Sequence, residues 1–276
     1  MIPQSACTTA CSKTSIDKER VRYPLLVISL KRTPERLSAF YNINQKALNE
    51  WDVEVIDGID GIEQAQIMHR SRWVSNNAAE TWTKGAIGSG LSHIKAWQRC
   101  IERDMAVLVV EDDAVLTENL KSKLIDLKII GAERKDAKLV LLGWNLDSLL
   151  HAELSVGLKH ISLFEPTYPD LKEIRRIINN KTIRSSCKLK CCFGLPAYLI
   201  DPLIAKELLH TCRPLKSEKN EMTRGIPEHY LTTLDGMLSN RYHEMGAEII
   251  VPPLTIALNN QETSLTRRKK IQNFQG

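Results

Sequence analysis

The sequence lacks any hydrophobic run long enough to span a membrane. A transmembrane helix needs roughly 20 consecutive apolar residues, whereas the longest apolar run here covers only Met105–Val110. Residues 1–15 are polar and rich in small side chains, without the apolar stretch of a signal peptide. We therefore expect a cytoplasmic protein.

The sequence also lacks a strong excess of either charge. Lys and Arg number 38 against 33 Asp and Glu, a net charge of +5 over 276 residues. This excess is too small to indicate a nucleic-acid partner. A single run, Arg267-Arg268-Lys269-Lys270, supplies most of it. Such a run is usually a solvated tail; the alternative is peripheral contact with an anionic membrane, at roughly 1 kcal/mol per basic residue.

The seven cysteines do not form a recognisable metal or disulfide pattern. Their number is odd and the chain is long, which favours a reduced protein. Cys187, Cys191 and Cys192 lie close in sequence, but a zinc site needs a fourth ligand at ordered spacing. His210 and Cys212 lie farther along the chain. We therefore predict that the three cysteines are free thiols at the start of a buried strand.

Apolar runs and helical periodicity alternate along the chain. Strands are predicted at 23–30, 53–56, 105–110, 138–143, 197–200 and 247–251, and helices after Thr33-Pro34 and over 117–127, 201–209 and 226–242. Gly85, Gly88 and Gly90 suggest a loose turn before another helix, capped by Ser89 or Ser92. This alternation predicts an α/β fold with a mostly parallel central sheet flanked by helices.

Three consecutive acids, Glu111-Asp112-Asp113, follow the most hydrophobic predicted strand. Ligands of open α/β sheets bind at the carboxyl ends of strands, and Mg²⁺ or Mn²⁺ would relieve the repulsion between these carboxylates. The alternative is one capping Asp beside two solvated acids. A signalling receiver domain is excluded because the next predicted strand ends in Leu142-Gly143-Trp144-Asn145, without the phospho-accepting Asp. A phosphohydrolase is excluded because Glu111 replaces its nucleophilic Asp.

Several segments together resemble glycosyltransferase family 25, which includes lipooligosaccharide and collagen galactosyltransferases. The matching segments occur in family order within residues 23–255: Val27–Arg36, Val55–Gly58, Gly85–Trp97, Leu108–Ala114, Gly194–Ile200 and Leu234–Leu238. The segment Gly85–Trp97, with its Gly-x-x-Gly and Ser-His, is the most specific. Ser29 and Ser89 depart from the usual Asn and Cys, at positions without obvious chemistry.

The resemblance implies a GT-A-like nucleotide-sugar-binding domain over residues 23–258. The donor part would cover about 23–145 and the acceptor part about 146–258, between a flexible tail at 1–22 and a basic tail at 259–276. The implied activity is metal-dependent, inverting transfer of a hexose, most often galactose, from a UDP-sugar to a saccharide acceptor in lipooligosaccharide or other glycoconjugate synthesis.

The resemblance also implies roles for individual residues. Asp113 would be the main ligand of Mn²⁺ or Mg²⁺ and Asp112 the second, with Glu111 on ribose or metal. Other nucleotide-sugar contacts would come from Arg32, Arg36, Asp57, Ser92 and His93, and acceptor contacts from Trp144 and Asn145. Asp235 is the candidate base that deprotonates the acceptor hydroxyl, unless it is an ordinary solvated helix residue, and Glu228 is the substitute.

Two other functions remain open at this level. A nucleotidyltransferase would share an α/β sheet and an acidic cation site. A catalytically degenerate, glycan-binding relative would share the fold without turnover.

Overall fold

The computed structural model describes residues 22–63, 72–134, 136, 138–165, 167–220 and 229–258. Both predicted tails, including the basic run Arg267–Lys270 and its predicted membrane contact, lie outside these residues, apart from Arg22. Within the described part of the chain, no helix has the length and apolar character needed to cross a membrane.

The described residues alternate strands and helices. The strands are β1 Tyr23–Ser29, β2 Trp51–Asp57, β3 Val107–Glu111, β4 Ala114–Leu116, β5 Leu139–Leu141, β6 Leu149–Ser155, β7 Leu158–Leu163, β8 Ser185–Cys192, β9 Ala197–Ile200, β10 Glu218–Lys219, β11 Tyr230–Leu231, β12 Glu248–Val251 and β13 Thr255–Ala257. The helices are α1 Pro34–Leu48, α2 Asn76–Thr81, α3 Lys84–Arg103, α4 Leu120–Asp126, α5 Leu171–Asn179, α6 Pro202–Thr211 and α7 Leu234–Ser239.

Nine of the described strands form one sheet in the order β2-β1-β3-β9-β5-β12-β8-β6-β7. The predicted α/β class is confirmed. The predicted parallel pairing holds for β1 with β2 and β3, and for β5 with β12. The remaining pairs are antiparallel, because β9 enters between β3 and β5, and β8, β6 and β7 extend the far edge. β4 pairs separately with β13.

Hydrophobic clusters cover both faces of this sheet. One face packs against α3, α6 and α7 through side chains such as Leu91, Trp97 and Leu208. The other packs against α1 and α4 through side chains such as Phe40 and Leu124. β3 is buried on both faces, which explains its continuous apolar sequence. Cys187, Cys191 and Cys192 are buried free thiols, as predicted, but they lie within and at the end of β8 and not at the start of a strand.

The predicted helix over 226–242 begins outside the described residues, which resume at 229, and is wrong where they resume. Tyr230–Leu231 forms β11, which pairs with β10, and of the described residues in this range only Leu234–Ser239 is helical. Tyr230 is exposed and Leu231 is buried, the alternation of a strand. The helix begins after Thr233, whose Oγ1 accepts a hydrogen bond from the backbone N–H of Gly236.

The predicted loose turn at Gly85, Gly88 and Gly90 is also wrong. α3 begins at Lys84, and the side chain of Thr83 caps it by accepting from the backbone N–H of Ala86. All three glycines therefore lie inside the helix. Ser92 and His93 lie in the middle of this helix and not at its N-terminus, where the predicted turn would have placed them. The free N–H groups at the start of the helix are therefore not beside these two residues.

Gly88 allows the backbone of α3 to pack directly on the segment after β2. A Cβ at this position would lie 2.5 Å from the carbonyl oxygen of Ile59 and 2.7 Å from the backbone nitrogen of Gly61. Gly61 is equally restricted, because its Cβ would clash with the carbonyl of Lys84. Ser92 Oγ completes the contact by accepting from the backbone N–H of Ile59 at 2.8 Å. This packing brings α3 to the sheet edge where the predicted site lies.

We predict that Gly88→Ala destabilises the protein by about 1–3 kcal/mol, because a methyl group would force two backbone segments apart. Replacing Gly by Ala at an uncrowded position inside a helix increases the free energy of unfolding by about 1 kcal/mol. A decrease for Gly88→Ala would therefore indicate the backbone contact. Urea unfolding measures it. Ser89→Ala, one residue along α3, is the control and should change stability little. A Gly88→Ala variant as stable as wild type would contradict the packing.

Candidate functional site

A cleft of about 590 Å³ opens at the carboxyl ends of β1 and β3. Residues from β1, α1, α3, the end of β3, the loop before β9, and α7 line it. Among the predicted site residues, the cleft brings together Arg32, Arg36, Ser92, His93, Glu111, Asp112, Asp113, Asn145 and Asp235. The fold therefore brings together residues spread over some 200 positions of the chain.

Backbone hydrogen bonds fix the acidic segment on both sides. The N–H of Glu111 donates to the carbonyl of Pro196 at 3.0 Å, and the carbonyl of Asp113 accepts from the N–H of Leu258 at 2.8 Å. The segment thus lies between β3 and β4, tied to the chain before β9 and after β13. Its three carboxylates lie along one wall of the cleft as a result.

Asp112 is anchored through both of its carboxylate oxygens. Ser29 Oγ donates to Oδ2 at 2.7 Å, and Arg36 Nη2 lies 2.6 Å from Oδ1. Burial raises the pKa of Asp112, opposed by the charge of Arg36 and the hydrogen bonds from Ser29 and Arg36, which lower it. Sequence reasoning assigned no chemistry to Ser29, because its partner lies 83 residues away.

Asp113 has one carboxylate oxygen in use and one without a partner. Oδ2 lies 3.3 Å from Arg36 Nη2. Oδ1 is buried and has no hydrogen-bond partner among the described residues. Burial, together with the negative charge of Glu111, raises the pKa of Asp113 to about 7. Because burial and the charge of Glu111 both oppose ionisation, placing this carboxylate at the cleft costs electrostatic free energy.

A buried chain of hydrogen bonds ends at Glu111. Trp97 Nε1, which can only donate, donates to the hydroxyl of Tyr198 at 2.8 Å. Tyr198 lies 3.0 Å from His93 Nδ1, and His93 Nε2 lies 3.1 Å from Glu111 Oε1. A carboxylate can only accept, so Nε2 is the donor to Glu111, and His93 links this carboxylate to the Tyr198 hydroxyl. The sequence placed His93 at the site, and the structure shows that Tyr198, a structural residue on the buried strand β9, lies behind it.

Arg32 and Asp57 have partners of their own at this edge of the sheet. Arg32 Nε forms an ion pair with Asp60, whose Oδ1 also accepts from the N–H of Ile62 at 2.9 Å. Asp57 pairs with Lys31 at 2.7 Å and does not line the cleft. Asp60 lines the cleft and is a further residue that sequence reasoning missed; its only signal is its position after Gly58 at the end of β2.

Asp235, on α7, also lines the cleft, and backbone donors hold its carboxylate. Oδ2 accepts from the N–H of Gly194 at 2.6 Å, and Oδ1 accepts from the N–H of Gly236 at 2.9 Å. Gly194 has a φ of +88°, a conformation that favours glycine. Asp235 therefore fixes the turn that carries Gly194 and Leu195 to the cleft.

The other predicted site residues differ in position. Asn145 lines the cleft against Gly194, whereas Trp144 is 2% exposed and packs on Phe164 with ring centroids 5.7 Å apart. Glu228 lies outside the described residues.

The acidic segment suits a cation held jointly by protein and substrate. Among the described residues, no three His, Cys, Asp or Glu side chains converge closely enough to hold a metal by themselves. Mg²⁺ typically takes one or two carboxylates together with water and substrate phosphates. The partnerless Oδ1 of Asp113 fits that requirement. Asp112 as a second ligand stays a prediction, since both of its oxygens contact Ser29 or Arg36.

The comparison with family models decides the assignment. The model described as glycosyltransferase family 25 (LPS biosynthesis protein) matches residues 23–223, which include the whole acidic segment. The chain belongs to glycosyltransferase family 25. The resemblance drawn from the sequence motifs is confirmed.

Curated relatives of this family 25 chain carry names that state inactivity. A probable inactive glycosyltransferase 25 family member 3 from Bos taurus is 27% identical over 180 residues, 60% of this chain and 29% of the relative. The inactive glycosyltransferase 25 family member 3 from Homo sapiens is 30% identical over 132 residues, 43% of this chain and 21% of the relative. This chain thus spans less than a third of the length of the curated relatives it matches.

Solved glycosyltransferase structures show a distant likeness to this family 25 chain. The apo structure of the bifunctional glycosyltransferase WbbM has a TM-score of 0.40 at 10% identity and covers 82% of this chain and 38% of its own. The galactosyltransferase LgtC, in complex with donor and acceptor sugar analogs, has a TM-score of 0.37 at 9% identity and covers 81% and 72%. Likenesses this distant do not transfer a ligand or a residue role.

We predict that Asp113→Asn stabilises this family 25 protein at neutral pH in the absence of metal. The folded-state pKa of Asp113 is about 7, above the unfolded value of 3.8. Wild type therefore loses stability as pH rises between these two values, and the Asn variant does not share that loss. The stability advantage of the variant should grow by about 2–3 kcal/mol between pH 5 and pH 8.

Urea unfolding in EDTA at several pH values measures this difference. Asp126→Asn, at an exposed position at the end of α4, is the control and should show no such trend. A difference between Asp113→Asn and wild type that stays constant from pH 5 to pH 8 would contradict the raised pKa.

Proposed function

We propose that this protein is a metal-dependent, inverting glycosyltransferase that moves a hexose, most plausibly galactose, from a UDP-sugar to a saccharide acceptor. The partnerless, buried Oδ1 of Asp113 on the cleft wall carries the proposal. A carboxylate held at a raised pKa beside other acids is typical of a site that becomes neutralised when it binds a cation. Family membership supplies the reaction class.

The charges around the cleft support a nucleoside diphosphate donor. Arg36 lies between Asp112 and Asp113, so its guanidinium is positioned close to where a diphosphate bound at Asp113 would lie. Guanidinium groups bind phosphate oxygens through paired donors. Arg32 and Asp60 close the same side of the cleft. We assign the diphosphate to this side and the hexose to the side nearer Asn145 and Asp235.

Each residue in the cleft has a proposed task in the transfer. Asp113, with Asp112 behind it, would hold Mn²⁺ or Mg²⁺, which when bound stabilises the negative charge of the leaving UDP. Glu111 would contact ribose or metal, and His93 keeps its carboxylate oriented through the bond from Nε2. Arg36 bridges the carboxylates of Asp112 and Asp113 and would offer its remaining donors to phosphate.

Asp235 is the proposed base for the acceptor hydroxyl. Inverting transfer requires that a group opposite the leaving phosphate takes the proton of the attacking hydroxyl. Asp235 lines the cleft from α7, and two backbone N–H groups hold its carboxylate in place. Each oxygen accepts one of these bonds and keeps a lone pair for the hydroxyl.

One specific observation favours a second candidate function. The curated relatives are named inactive, so a glycan-binding protein without turnover is the alternative. A nucleotidyltransferase is a further alternative with the same cation chemistry. The products separate these cases: the transferase releases UDP from a UDP-sugar, a nucleotidyltransferase splits the diphosphate, and a binding protein releases nothing.

We predict Mn²⁺- or Mg²⁺-dependent release of UDP from one of a panel of UDP-sugars, abolished by EDTA. Asp113→Asn should reduce release by at least about 100-fold, because it removes the ionised ligand, while its melting temperature is unchanged or higher. Luminescent UDP detection measures the release, with Mn²⁺ electron paramagnetic resonance in the presence of UDP as a second readout.

Asp126→Asn is the matched control and should retain full release. Absence of metal-dependent release with every donor, with lipooligosaccharide acceptors present, would overturn the transferase proposal. Full release by Asp113→Asn would remove Asp113 from the cation site.

For Asp235 we predict that Asp235→Asn lowers kcat by about 100- to 10,000-fold, the usual contribution of a positioned base. UDP binding should stay within about twofold of wild type, because the donor side is separate. Isothermal titration with UDP and Mn²⁺ measures the binding. Thr233→Ala removes a neighbouring cap of the same helix and is the control for local unfolding. A variant that loses UDP binding together with kcat would make Asp235 a structural residue.

A further inference from the structure

A cluster of basic side chains lies on the strands at the far end of the sheet, away from the acidic segment. It consists of His151 on β6, Lys159 and His160 on β7, Lys188 and Lys190 on β8, and His243 after α7; we call it the basic patch. None of these residues lines the cleft, and none has a task in the proposed transfer. The patch therefore needs a separate explanation.

The strand register places Glu153 among these charges; Glu248 on β12 also lies opposite Lys188, but its carboxylate is held by Lys138 and Ser186. Glu153 lies opposite Lys159 on β7 and opposite Lys188 on β8. His151 lies opposite Cys191, and the register then shifts so that Ala152 lies opposite Leu189. Lys190 is the extra residue of this bulge. Bulges often redirect a side chain at a functional position.

Lys190 is buried without a carboxylate partner. Its residue is 4% exposed, and Nζ contacts the imidazole of His243, closest to Nδ1 and 3.0 Å from Nε2. Within the described residues Nζ forms no ion pair with any acid. Buried ammonium groups are ordinarily paired with carboxylates. Burial lowers the pKa of Lys190, and the charges of Lys159 and Lys188 lower it further, against a smaller opposing effect of Glu153.

His151 adds an unused polar atom to the same place. Its Nδ1 is buried and has no hydrogen-bond partner among the described residues. Burial lowers its pKa, followed by the charges of Lys190, His160, Lys159 and His243. Glu153 is held by the backbone N–H of Gly157 at 2.9 Å, and Glu248, opposite Lys188, is paired with Lys138. Counting the three lysines against Glu153, the patch keeps an excess of positive charge even with every imidazole neutral.

We propose that the basic patch binds an oxyanion, a phosphate or carboxylate group, that is carried by the saccharide acceptor. Lysine ammonium groups and imidazole N–H groups are the donors that such anions take. An anion would supply the missing counter-charge of Lys190 and a partner for His151.

The position of the patch supports the acceptor as the source of the anion. Lys190 precedes Gly194, on the cleft wall, by four residues, so their Cα atoms lie within about 14 Å of each other. Gly194 accompanies Asn145 and Asp235, on the side of the cleft assigned to the hexose and acceptor. Assignment of the anion to the acceptor rests on the proposed transferase function, whereas binding of the anion itself does not.

Inorganic phosphate is the first probe, added to the full chain with ¹⁵N-labelled histidine. We expect saturable shifts of the ring signals of His151 and His243, while His93, in the cleft, reports any separate binding there. At a phosphate concentration about ten times Kd, the melting temperature should rise by roughly 3–6 °C. An absence of shifts at His151 and His243 would overturn the site, whatever the outcome of the transferase assay.

Lys190→Met, Lys159→Met and Lys206→Met form the variant series. Lys190→Met should weaken phosphate binding at the patch at least about 10-fold, and Lys159→Met, at an exposed position, about 3-fold. Lys206→Met, on the exposed side of α6, is the control and should bind as wild type does. Lys190→Met should not lower the melting temperature without phosphate, since it removes a buried charge. Equal phosphate affinity in Lys190→Met, Lys159→Met and wild type would overturn the proposal.

A third arm distinguishes the sources of the anion. Glucose 6-phosphate should displace inorganic phosphate from the patch, and neutral glucose should not. Vesicles of phosphatidylglycerol, compared with phosphatidylcholine, test a lipid surface instead. Vesicle binding that Lys190→Met abolishes, without displacement by glucose 6-phosphate, would overturn the assignment to a saccharide.

Discussion

The carboxylate of Asp112 is the interaction on which the geometry of the cleft depends. One oxygen accepts from Ser29 at the end of β1, and the other pairs with Arg36 on α1. Three elements that follow one another in space, β1, α1 and the end of β3, therefore share a single buried anion. Burial acts against its charge and outweighs the opposing effect of Ser29 and Arg36 on its pKa. Holding the Asp112 carboxylate in this buried place therefore costs electrostatic free energy, and in return the carboxylate fixes the relative positions of β1, α1 and the end of β3.

The anchoring of Asp112 affects the contacts of the next residue, Asp113. Because Arg36 is already held by Asp112, it reaches only one oxygen of Asp113, at 3.3 Å, and leaves the other unpaired. Glu111, Asp112 and Asp113 all lie near the guanidinium of Arg36. The end of β3 thus carries more negative than positive charge. A protein built only for stability would not keep this imbalance, which is the strongest physical reason to regard the cleft as a cation and diphosphate site.

Negative charge is concentrated at one part of the large sheet and positive charge at another. The acidic segment lies at the carboxyl end of β3, and the basic patch lies on β6, β7 and β8, which pair antiparallel and extend the sheet beyond β12. Family membership fixes the reaction class that the first can support, while names of relatives that state inactivity make turnover a matter for assay. The basic patch belongs to the half of the domain in which the sequence motifs are weakest. This half is where we expect the residues that select the acceptor.

The sequence by itself determined the elements whose signals are local. The apolar runs of β1 and β3, Pro34 at the start of α1 and the acids after β3 were all predicted, because continuous burial, fixed proline φ and strand-end polarity are written in adjacent residues. Only the tertiary structure decided what depends on distant partners. It placed Gly88 inside a helix because the backbone of Ile59–Gly61 packs there, and it inserted β9 antiparallel between β3 and β5. It also gave Ser29 and Tyr198 their contacts across 83 and 105 residues, separations that no pattern of neighbouring residues encodes.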